Sequence, residues 1–252
     1  MPFAPLPAVD VRLAADRAIT RTDWLDSRHS FAFGRHYDPG NTSYGLLLAH
    51  NDDVLRAGSG FDDHHHRDVE IITWVVSGSL MHQDSAGHQG VLHPGLVQRM
   101  SAGSGIVHSE RNDASLLHPG RYAAVDARVV QMWVVPDSEG GTPGYEQREL
   151  PDARLRSGLV AVAAGRADRD AAVRIGNRDA VLLAARIAPG QQVVLPDAPW
   201  VHLFVVVGSV ALEGAGRLGA GDAVRLTGAG GPTLTATGQA EVLVWEMHAR
   251  LG

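Results

Sequence analysis

The chain contains no cysteine and no lysine. Without cysteine, the protein cannot form disulfides, thiolate nucleophiles, iron–sulfur clusters or cysteine-ligated zinc sites. Without lysine, it cannot form a lysine Schiff base or use the lysine of a phosphate-binding loop. All 22 basic residues are therefore arginines. Enzyme classes that depend on either missing side chain are excluded.

Long apolar segments and strong net charge are also missing. No apolar run approaches the roughly 20 residues that span a bilayer, and the N-terminal segment MPFAPLPAVDVRLAADRAIT lacks the apolar core of a signal peptide. The net charge is −6, and no basic cluster indicates binding to nucleic acid. We therefore expect a cytoplasmic protein with no membrane or nucleic-acid partner. No feature indicates oligomers, so we expect a monomer.

Short β-rich runs separated by Gly, Pro, Asp and Asn recur along the 252 residues. Four of these runs are IITWVVSGSLMHQ (71–83), VVQMWVVP (129–136), HLFVVVGSVAL (202–212) and VLVWEM (242–247). Many short strands joined by regular turns are typical of a sandwich or a barrel. We predict an all-β protein in which only residues 16–28 and 150–157 form short helical turns.

A weak internal repeat indicates two similar β domains. WVVSGSL (74–80) resembles FVVVGSV (204–210), and LHPGLVQRM (92–100) resembles LGAGDAVRL (218–226). Chance similarity between valine-rich strands is the alternative explanation. The best boundary lies in PDSEGGTPGYEQ (136–147), which is rich in Pro, Gly and polar residues. We predict domains at 1–140 and 141–252.

The stretch DDHHHRDVE (62–70) places three histidines in a row. In an extended segment, residues two apart point to the same face, so His64 and His66 can reach one ion while His65 points away. An isolated pair of this kind is weak evidence for a metal site, because two histidines at this spacing more often lie on a protein surface. A second segment is needed to decide.

SAGSGIVHSERN (101–112) supplies a second pair at the same spacing, His108 and Glu110. Two extended segments can therefore bring three imidazoles and one carboxylate to a single point. This donor set suits one divalent transition metal, with Fe, Mn, Co, Ni, Cu and Zn all compatible. Four protein ligands on an octahedral ion leave two positions for water, O2 or substrate.

Two motifs carry a resemblance to the cupins. GSGFDDHHHRDVEIITWVVSG matches G-x5-H-x-H-x3-E followed by a glycine, at Gly58, His64, His66, Glu70 and Gly78. GSGIVHSERN matches G-x2-H-x3-N, at Gly105, His108 and Asn112. The fuller pattern over most of residues 20–147 is similar to the pirins, especially the bacterial pirin-like proteins. The matching segments are DWLDSRHSFAFGRHYDP (23–39), HHHRDVEIITWVVSGSLMHQDS (64–85), HPGLVQRMSAGSGIVHSERN (93–112) and VQMWVVPDSEGGTPGYEQ (130–147).

The resemblance implies a bicupin, with two facing β-barrels of the jelly-roll type and one metal in the N-terminal barrel. It carries the ligand roles to His64, His66, His108 and Glu110. It also implies iron, Fe(II), in some members, cleavage of the flavonol quercetin with O2 in several, and regulation through protein contacts in others. One departure is His65, which stands where pirins usually have proline. Proline would stiffen this segment; we expect His65 to point outward.

The second domain is expected to lack a metal. Counting back from Gly208, the counterparts of His64 and His66 fall near Val194 and Pro196, neither of which binds metals. No histidine and glutamate pair follows Gly221. We interpret the isolated His202 and His248 as ordinary, partly buried histidines.

Several further residues are candidates for the surroundings of the site. Glu70 is expected to support a ligand imidazole, with direct metal binding or a solvated charge as alternatives. Gln98 and Met100 are candidates for the cavity wall, although an inward methionine is also ordinary filler. HSFAF (29–33) could line an aromatic pocket but more often such a run packs a core. MHQDS (81–85) is interpreted as a hairpin with a polar face.

Two functions remain open. The first is a metal-dependent dioxygenase for a flavonol or a similar planar phenol, in which Glu110, or a base near it, takes the hydroxyl proton. The second is a binding module whose metal is structural or redox-sensing and which acts through a protein partner. An isomerase or a sugar-binding cupin would share the fold but not the pirin-like segments.

Overall fold

A computed structural model of the chain describes residues 7–114, 120 and 125–251. The first six residues, on which part of the expectation for the N-terminal segment rests, lie outside this range. The described chain is almost entirely strand and turn, as predicted. No described helix is long and apolar enough to cross a membrane.

The first half contains twelve strands: β1 (Ala8–Arg12), β2 (Ala18–Arg21), β3 (Leu25–His29), β4 (Leu47–Leu55), β5 (Gly60–His66), β6 (Glu70–Ser77), β7 (Leu80–Asp84), β8 (Gln89–Leu92), β9 (Leu96–Ser101), β10 (Ile106–Arg111), β11 (Ala127–Val134) and β12 (Gly144–Glu149). The second half contains ten: β13 (Val160–Ala164), β14 (Val173–Arg174), β15 (Ala180–Ile187), β16 (Gln192–Val194), β17 (Trp200–Val207), β18 (Ser209–Leu212), β19 (Gly216–Gly219), β20 (Ala223–Thr227), β21 (Thr233–Ala236) and β22 (Ala240–Met247).

Helix is confined to a 3-10 turn at Ala14–Asp16 and to α1 (Asp152–Leu155). The helical turn predicted within 150–157 is confirmed. The one predicted at 16–28 is wrong for most of that range, because β2 and β3 pair with each other there.

The strands form four sheets in two pairs, and each pair makes one barrel. The first barrel joins a seven-stranded sheet, β12-β9-β6-β11-β4-β3-β2, to a four-stranded sheet, β5-β10-β7-β8. The second joins β1-β20-β17-β22-β15-β13-β14 to β16-β21-β18-β19. The strand orders correspond position by position, and β6 corresponds to β17 as β9 does to β20. The predicted repeat is thereby confirmed, since its two matching segments cover these strands.

The edge strands of the two large sheets, β12 and β1, do not respect the predicted boundary at 140. β12 begins within the turn-rich segment 136–147 and pairs with β9 from Gly144–Ser101 to Glu149–Leu96. β1 begins the chain but pairs with β20 of the second barrel. The proposed boundary at 140 therefore falls before the last strand of the first sheet rather than between the barrels. Local composition identified the turn-rich segment but could not show that its end continues into a sheet.

The two large sheets pack against each other through one apolar core. Its members come from both halves, including Ile72, Trp74 and Met132 on one side and Phe204 and Trp245 on the other. The Trp74 indole N–H donates to Glu241 Oε1 at 2.7 Å, which joins the barrels by a polar contact at the edge of this core. The barrels are thus held by buried apolar surface, which is the larger contribution, and oriented by hydrogen bonds.

The two barrel interiors differ in chemistry. The second is filled by a single apolar cluster that includes Val193, Leu203, Leu234 and Val244. The first holds two smaller apolar clusters, and between them lie buried polar side chains: His66, Thr73, His82, Gln98, His108, Glu110 and Gln131. Buried polar groups are costly unless they have partners, so this interior is built for a purpose other than stability alone.

Candidate metal centre

Strands β5 and β10 position the four predicted ligands. They pair antiparallel, with His108 directly opposite His64, and the register shifts at a bulge between His108 and Glu110. Alternation along each strand turns both members of a pair to the same face. The two segments chosen from their spacing therefore lie side by side on the small sheet and face the barrel interior.

The three imidazoles form a compact cluster. The ring centroids are 4.9 Å apart for His64 and His66, 4.4 Å for His64 and His108, and 5.0 Å for His66 and His108. One ring nitrogen from each lies within 4.8 Å of the others. Nitrogens this close can bind one ion after small side-chain movements, since metal–nitrogen bonds are about 2.0–2.1 Å long.

The free atoms of the four side chains fit a metal ion. His64 Nδ1 donates to the Asp62 carbonyl at 2.8 Å, which leaves its Nε2 as the available donor atom. His66 Nε2, His108 Nε2 and Glu110 Oε1 are buried and have no hydrogen-bond partner. Buried polar atoms without partners are rare and need an explanation. A cation bound by these atoms would provide one, and their role as ligands stays a prediction.

His82 is a buried neighbour that the sequence interpretation did not place at the site. Potential ligand atoms of His82, His108 and Glu110 also lie within 4.8 Å of one another, so two overlapping groups share His108. Both ring nitrogens of His82 are engaged, however, Nδ1 by Gln98 Nε2 at 3.1 Å and Nε2 by Asp84 Oδ2 at 3.2 Å. We therefore favour His64, His66, His108 and Glu110 as the ligand set, with His82 behind it.

The hydrogen bonds of His82 bear on the protonation of His108. Because Gln98 donates to His82 Nδ1, the His82 proton lies on Nε2 and is donated to Asp84. His108 Nδ1 lies 3.4 Å from the same His82 nitrogen and shares its one lone pair with Gln98, so this contact is weak. A proton on His108 Nδ1 is compatible with the contact and leaves the Nε2 lone pair free for a metal. Asp84, His82 and His108 form one chain that ends at the metal position.

Burial keeps two of the imidazoles neutral, as metal ligands must be. Burial lowers the pKa of His66 to about 4, with His108 and His64 adding to the effect. Burial likewise lowers the pKa of His108 to about 3, with further lowering by His64 and His82. At neutral pH both rings therefore present lone pairs rather than positive charge.

The carboxylate of Glu110 is held by a second chain of hydrogen bonds. Gln131 Nε2 donates to Glu110 Oε2 at 2.6 Å, and Trp133 Nε1 donates to Gln131 Oε1 at 3.1 Å. Both partners lie on β11, in the large sheet opposite β10. One Glu110 oxygen is therefore fixed, and the other faces the imidazoles. Spacing along the chain could not reveal Gln131 or Trp133, because they meet Glu110 only across the barrel.

Glu70 does not support a ligand imidazole in the structure. Its Oε2 accepts from the Ser101 hydroxyl at 2.8 Å, and its other oxygen approaches Gly176 of the second barrel. If β5 continued past His66, alternation would place Glu70, four residues later, on the same face as His66. The chain turns between β5 and β6, with Asp68 in the left-handed region at φ 51°. The inward and outward alternation of side chains in β6 therefore does not continue that of β5. Glu70 shares the outward face of Ile72 and Trp74.

The other nominated neighbours divide between polar and apolar roles. Gln98 is buried and donates to His82, so it contacts a neighbour of the predicted ligands rather than a ligand itself. Met100 packs in an apolar cluster with Ile71 and Ile106, beside Trp133. His65 is exposed on the outer face of β5, the expected orientation. A Cβ on Gly105 would lie 2.9 Å from His65 Nε2, so glycine there leaves room for this ring.

A cavity of about 540 Å³ opens onto the ligand cluster. His64, His66 and Glu110 lie in its wall, and Leu25 and Phe61 add apolar surface. Such a volume matches a drug-sized organic molecule, because ligand pockets usually span about 300–1,000 Å³. The site can therefore accept a substrate beside the metal position.

The HSFAF segment contributes to this cavity by alternation. His29 and Phe33 line it with stacked rings 5.0 Å apart, and Phe33 meets Trp133 edge to face at 5.2 Å. Phe31 points the other way, into the core between the barrels. The segment therefore serves both roles that the sequence left open, one on each face.

Asp53 is a further buried carboxyl on the cavity wall. Its Oδ1 has no partner, and burial raises its pKa to about 7; the Ser27 hydroxyl opposes this effect, and Asp52 and Glu110 add to it. A sequence signal for it exists, since HNDDVL (50–55) places two adjacent acids within a strand that begins and ends with apolar residues.

Comparisons with known proteins agree over nearly the whole chain. Residues 12–134 match the model of the Pirin family, and residues 162–247 match that of the quercetinase C-terminal cupin domain. A Mycobacterium tuberculosis protein that is provisionally named a quercetin 2,3-dioxygenase is 56% identical over 97% of each chain.

The chain belongs to the pirin family. The quercetin 2,3-dioxygenase of Escherichia coli K12 is 32% identical, over 94% of this chain and 97% of that protein. A bacterial pirin from Escherichia coli, solved in complex with nickel(II), is 30% identical, covers 96% of this chain and 100% of its own, and superposes with a TM-score of 0.83. The two barrels of this pirin are accordingly cupin domains.

The second cupin domain of this pirin presents apolar side chains where the first presents ligands. By strand order, β16 and β21 correspond to β5 and β10. The inward residues of that region are Val193, Leu195, Leu234 and Ala236. Val194, which counting back from Gly208 had nominated, is 66% exposed, so that count is wrong by one residue. Among the described residues, groups that could hold a metal occur only in the first domain.

Proposed function

We propose that this pirin is a metal-dependent dioxygenase that opens a flavonol such as quercetin with O2, and that its resident metal is Fe(II). The observation that carries this proposal is the cluster of His64, His66 and His108, with Glu110 beside His108. Three of these side chains have buried atoms without partners, and three line the 540 Å³ cavity. The names of relatives as quercetin 2,3-dioxygenases support the substrate class.

His64, His66, His108 and Glu110 would hold the metal. When bound, a divalent metal supplies Lewis acidity that lowers the pKa of a coordinated phenol and open positions for substrate and O2. The donor set also accepts Ni, Mn, Co, Cu and Zn, and the nickel complex of the Escherichia coli relative is consistent with that range. Fe(II) is proposed from the resemblance to iron-containing pirins.

The cavity wall would orient a planar phenol. Phe33 and Trp133 offer aromatic faces and edges beside His66, whose ring centroid is 4.9 Å from that of Trp133. Aromatic surfaces of this kind bind flat rings through stacked or edge-to-face contacts. The closed side of the cavity, formed by the barrel interior, excludes water from the reacting ring.

We assign the uptake of the substrate hydroxyl proton to Glu110, with Asp53 as the other carboxyl on the same wall. Gln131 holds Glu110 Oε2 at 2.6 Å, which fixes the plane of the carboxylate for proton transfer. A positioned carboxylate of this kind typically contributes about 10²–10⁴-fold to a rate.

The test begins with protein purified without a chelating tag and without added metal. Metal per chain is measured by elemental analysis, and quercetin absorbance and O2 uptake are followed in the same sample. We expect about one transition metal per chain and O2 consumption that depends on quercetin. The His64→Ala variant should lose both, whereas its exposed neighbour, His65→Ala, should keep both.

Each part of the proposal can fail separately. Metal bound without O2 uptake, with quercetin and related phenols all tested, would refute the dioxygenase and favour a redox-sensing binding protein. Loss of metal in both variants would show that substitutions anywhere in the triplet 64–66 disturb the fold, and that metal loss does not identify His64 as a ligand. Activity after reconstitution with nickel but not with Fe(II) would overturn the choice of iron while leaving the reaction intact.

A further inference from the structure

A second cavity, of about 360 Å³, lies between the two barrels; it shares His29 with the first cavity but none of the four predicted metal ligands. The first barrel contributes the segment that follows β1 and the loop after β3. The second contributes His202, Ala223 and Arg225. Three arginines, Arg12, Arg17 and Arg225, and two aspartates, Asp16 and Asp38, line it. Arg12 is paired with Asp10 at 2.9 Å, so the case for an anion rests on the two buried arginines.

Arg225 is buried without an ion-pair partner. It is 6% exposed, and it makes no salt bridge with any described residue. Its Nη2 donates to the Ser30 carbonyl at 3.0 Å and to Asn41 Oδ1 at 2.6 Å, both neutral acceptors, while its Nε has no partner. Burial lowers its pKa to about 10, and Arg12 adds to this effect, whereas Asp10 and Tyr44 oppose it. A buried cation without a counter-ion is costly.

Arg17 shares its counter-ion with another arginine. It is 7% exposed, and the nearest carboxylate oxygen is Asp52 Oδ2 at 3.8 Å. Arg128 already binds both oxygens of that carboxylate, each at 2.9 Å. Arg17 Nε has no partner, and burial lowers its pKa to about 10, although Asp52 and Asp53 oppose this effect. One carboxylate therefore serves two guanidinium groups.

Hydrogen-bond donors at this interface also lack acceptors. The rings of His202 and His50 are 4.9 Å apart, and all four of their nitrogens are buried and unpartnered. Burial lowers the pKa of His202 to about 3, and Arg225 and Arg17 add to the effect, so the ring is neutral and carries one N–H. The Ser30 hydroxyl on the cavity wall is unpartnered as well.

The Arg225 guanidinium is already held in place. Its central carbon lies 4.6 Å from the centre of the Phe31 ring and 5.5 Å from that of Tyr44. A group fixed in this way loses little freedom when it binds a ligand. Guanidinium groups, hydroxyls and imidazole N–H groups share a preference for oxyanions, and planar guanidinium matches carboxylate and phosphate geometry in particular.

We propose that the cavity between the barrels binds a small oxyanion, a phosphate or a carboxylate, between Arg17 and Arg225. The site is separate from the metal centre and does not depend on the dioxygenase proposal. The anion completes the charge balance of the interface and accepts hydrogen bonds from donors that otherwise have none.

The experiment titrates inorganic phosphate, and separately acetate, into the metal-loaded full-length protein in a buffer free of other oxyanions. Isothermal calorimetry measures the affinity, and the melting temperature is followed in parallel. We expect saturable binding of one anion per chain and a rising melting temperature. Arg225→Gln should weaken the affinity at least tenfold, whereas Arg217→Gln, an exposed arginine of the same barrel, should leave it unchanged. The anion that binds more tightly, phosphate or acetate, shows whether the site prefers a phosphate group or a carboxylate group.

A second variant protects the test if Arg225→Gln fails to fold. Ser30→Asp places a fixed carboxylate at the wall beside Arg225. We expect this variant to melt at or above the wild-type temperature and to lose its response to phosphate and acetate. Absence of binding to the wild type, or unchanged binding by Arg225→Gln and Ser30→Asp, would overturn the proposal.

Discussion

Replacing Asp53 by asparagine should stabilise the metal-free protein, and the gain should grow with pH. The side chain is 4% exposed, and its Oδ1 has no partner. Burial raises its pKa from 3.8 to about 7. Because the folded protein holds this proton more tightly than the unfolded chain, stability falls as pH rises from about 4 to about 7 and then levels off. Asparagine has nearly the same shape and cannot ionise.

The magnitude follows from linkage. One pKa unit corresponds to about 1.4 kcal/mol, so ionisation of Asp53 costs about 4 kcal/mol at pH 9, where both states are ionised. At pH 5 the unfolded chain is ionised and the folded protein is not, which reduces the cost to about 1–2 kcal/mol. The advantage of Asp53→Asn should therefore increase by about 2–3 kcal/mol between these two pH values.

Urea unfolding of metal-free wild type and variant at pH 5 and pH 9 measures this difference. Asp52→Asn is the matched control, because Asp52 lies on the opposite face of β4 and binds Arg128 through both oxygens at 2.9 Å. That variant should be less stable than the wild type at both pH values. An Asp53→Asn protein no more stable than the wild type at pH 9, or equally stabilised at both, would refute the reasoning.

Three further variants test other contacts. Trp74→Phe removes the indole N–H that donates to Glu241 Oε1 at 2.7 Å, and urea unfolding should show a loss of about 1–3 kcal/mol. Gly208→Ala should lower the melting temperature in calorimetry, because φ is 79° and a Cβ would overlap the Gln239 carbonyl oxygen. Gln131→Leu removes the donor to Glu110 Oε2, so competition with a chelator should show metal affinity about 10–100-fold lower; unchanged values would contradict each expectation.

The fold and the central site were accessible from the sequence because their signals are local. His64 and His66, like His108 and Glu110, are two residues apart, and a strand converts that spacing directly into a shared face. The corresponding strands of the two barrels were visible for the same reason, since the matching segments each contain a strand and its turn.

The surroundings of the site depend on contacts between distant strands. His82 lies opposite Glu110 across β7 and β10, a register that no single segment encodes. Gln131 reaches Glu110 from the other sheet. Glu70 was misplaced because one residue with positive φ, Asp68, interrupts the alternation. Side-chain direction is predictable within a strand but not through the turn that follows it.

The crossing of β1 to the second barrel means that no single cut yields two complete barrels. Cleavage after Glu149 would leave the second barrel without β1, which pairs with β20 at five positions from Ala8 to Arg12. Cleavage at 140 would also strip β12 from β9 and expose that edge of the first barrel. A segment that ends at Glu149 therefore keeps every strand of the first barrel, whereas a segment that begins after it lacks one edge of the second. The second barrel could be transplanted as a complete set of strands only if β1 were carried with it.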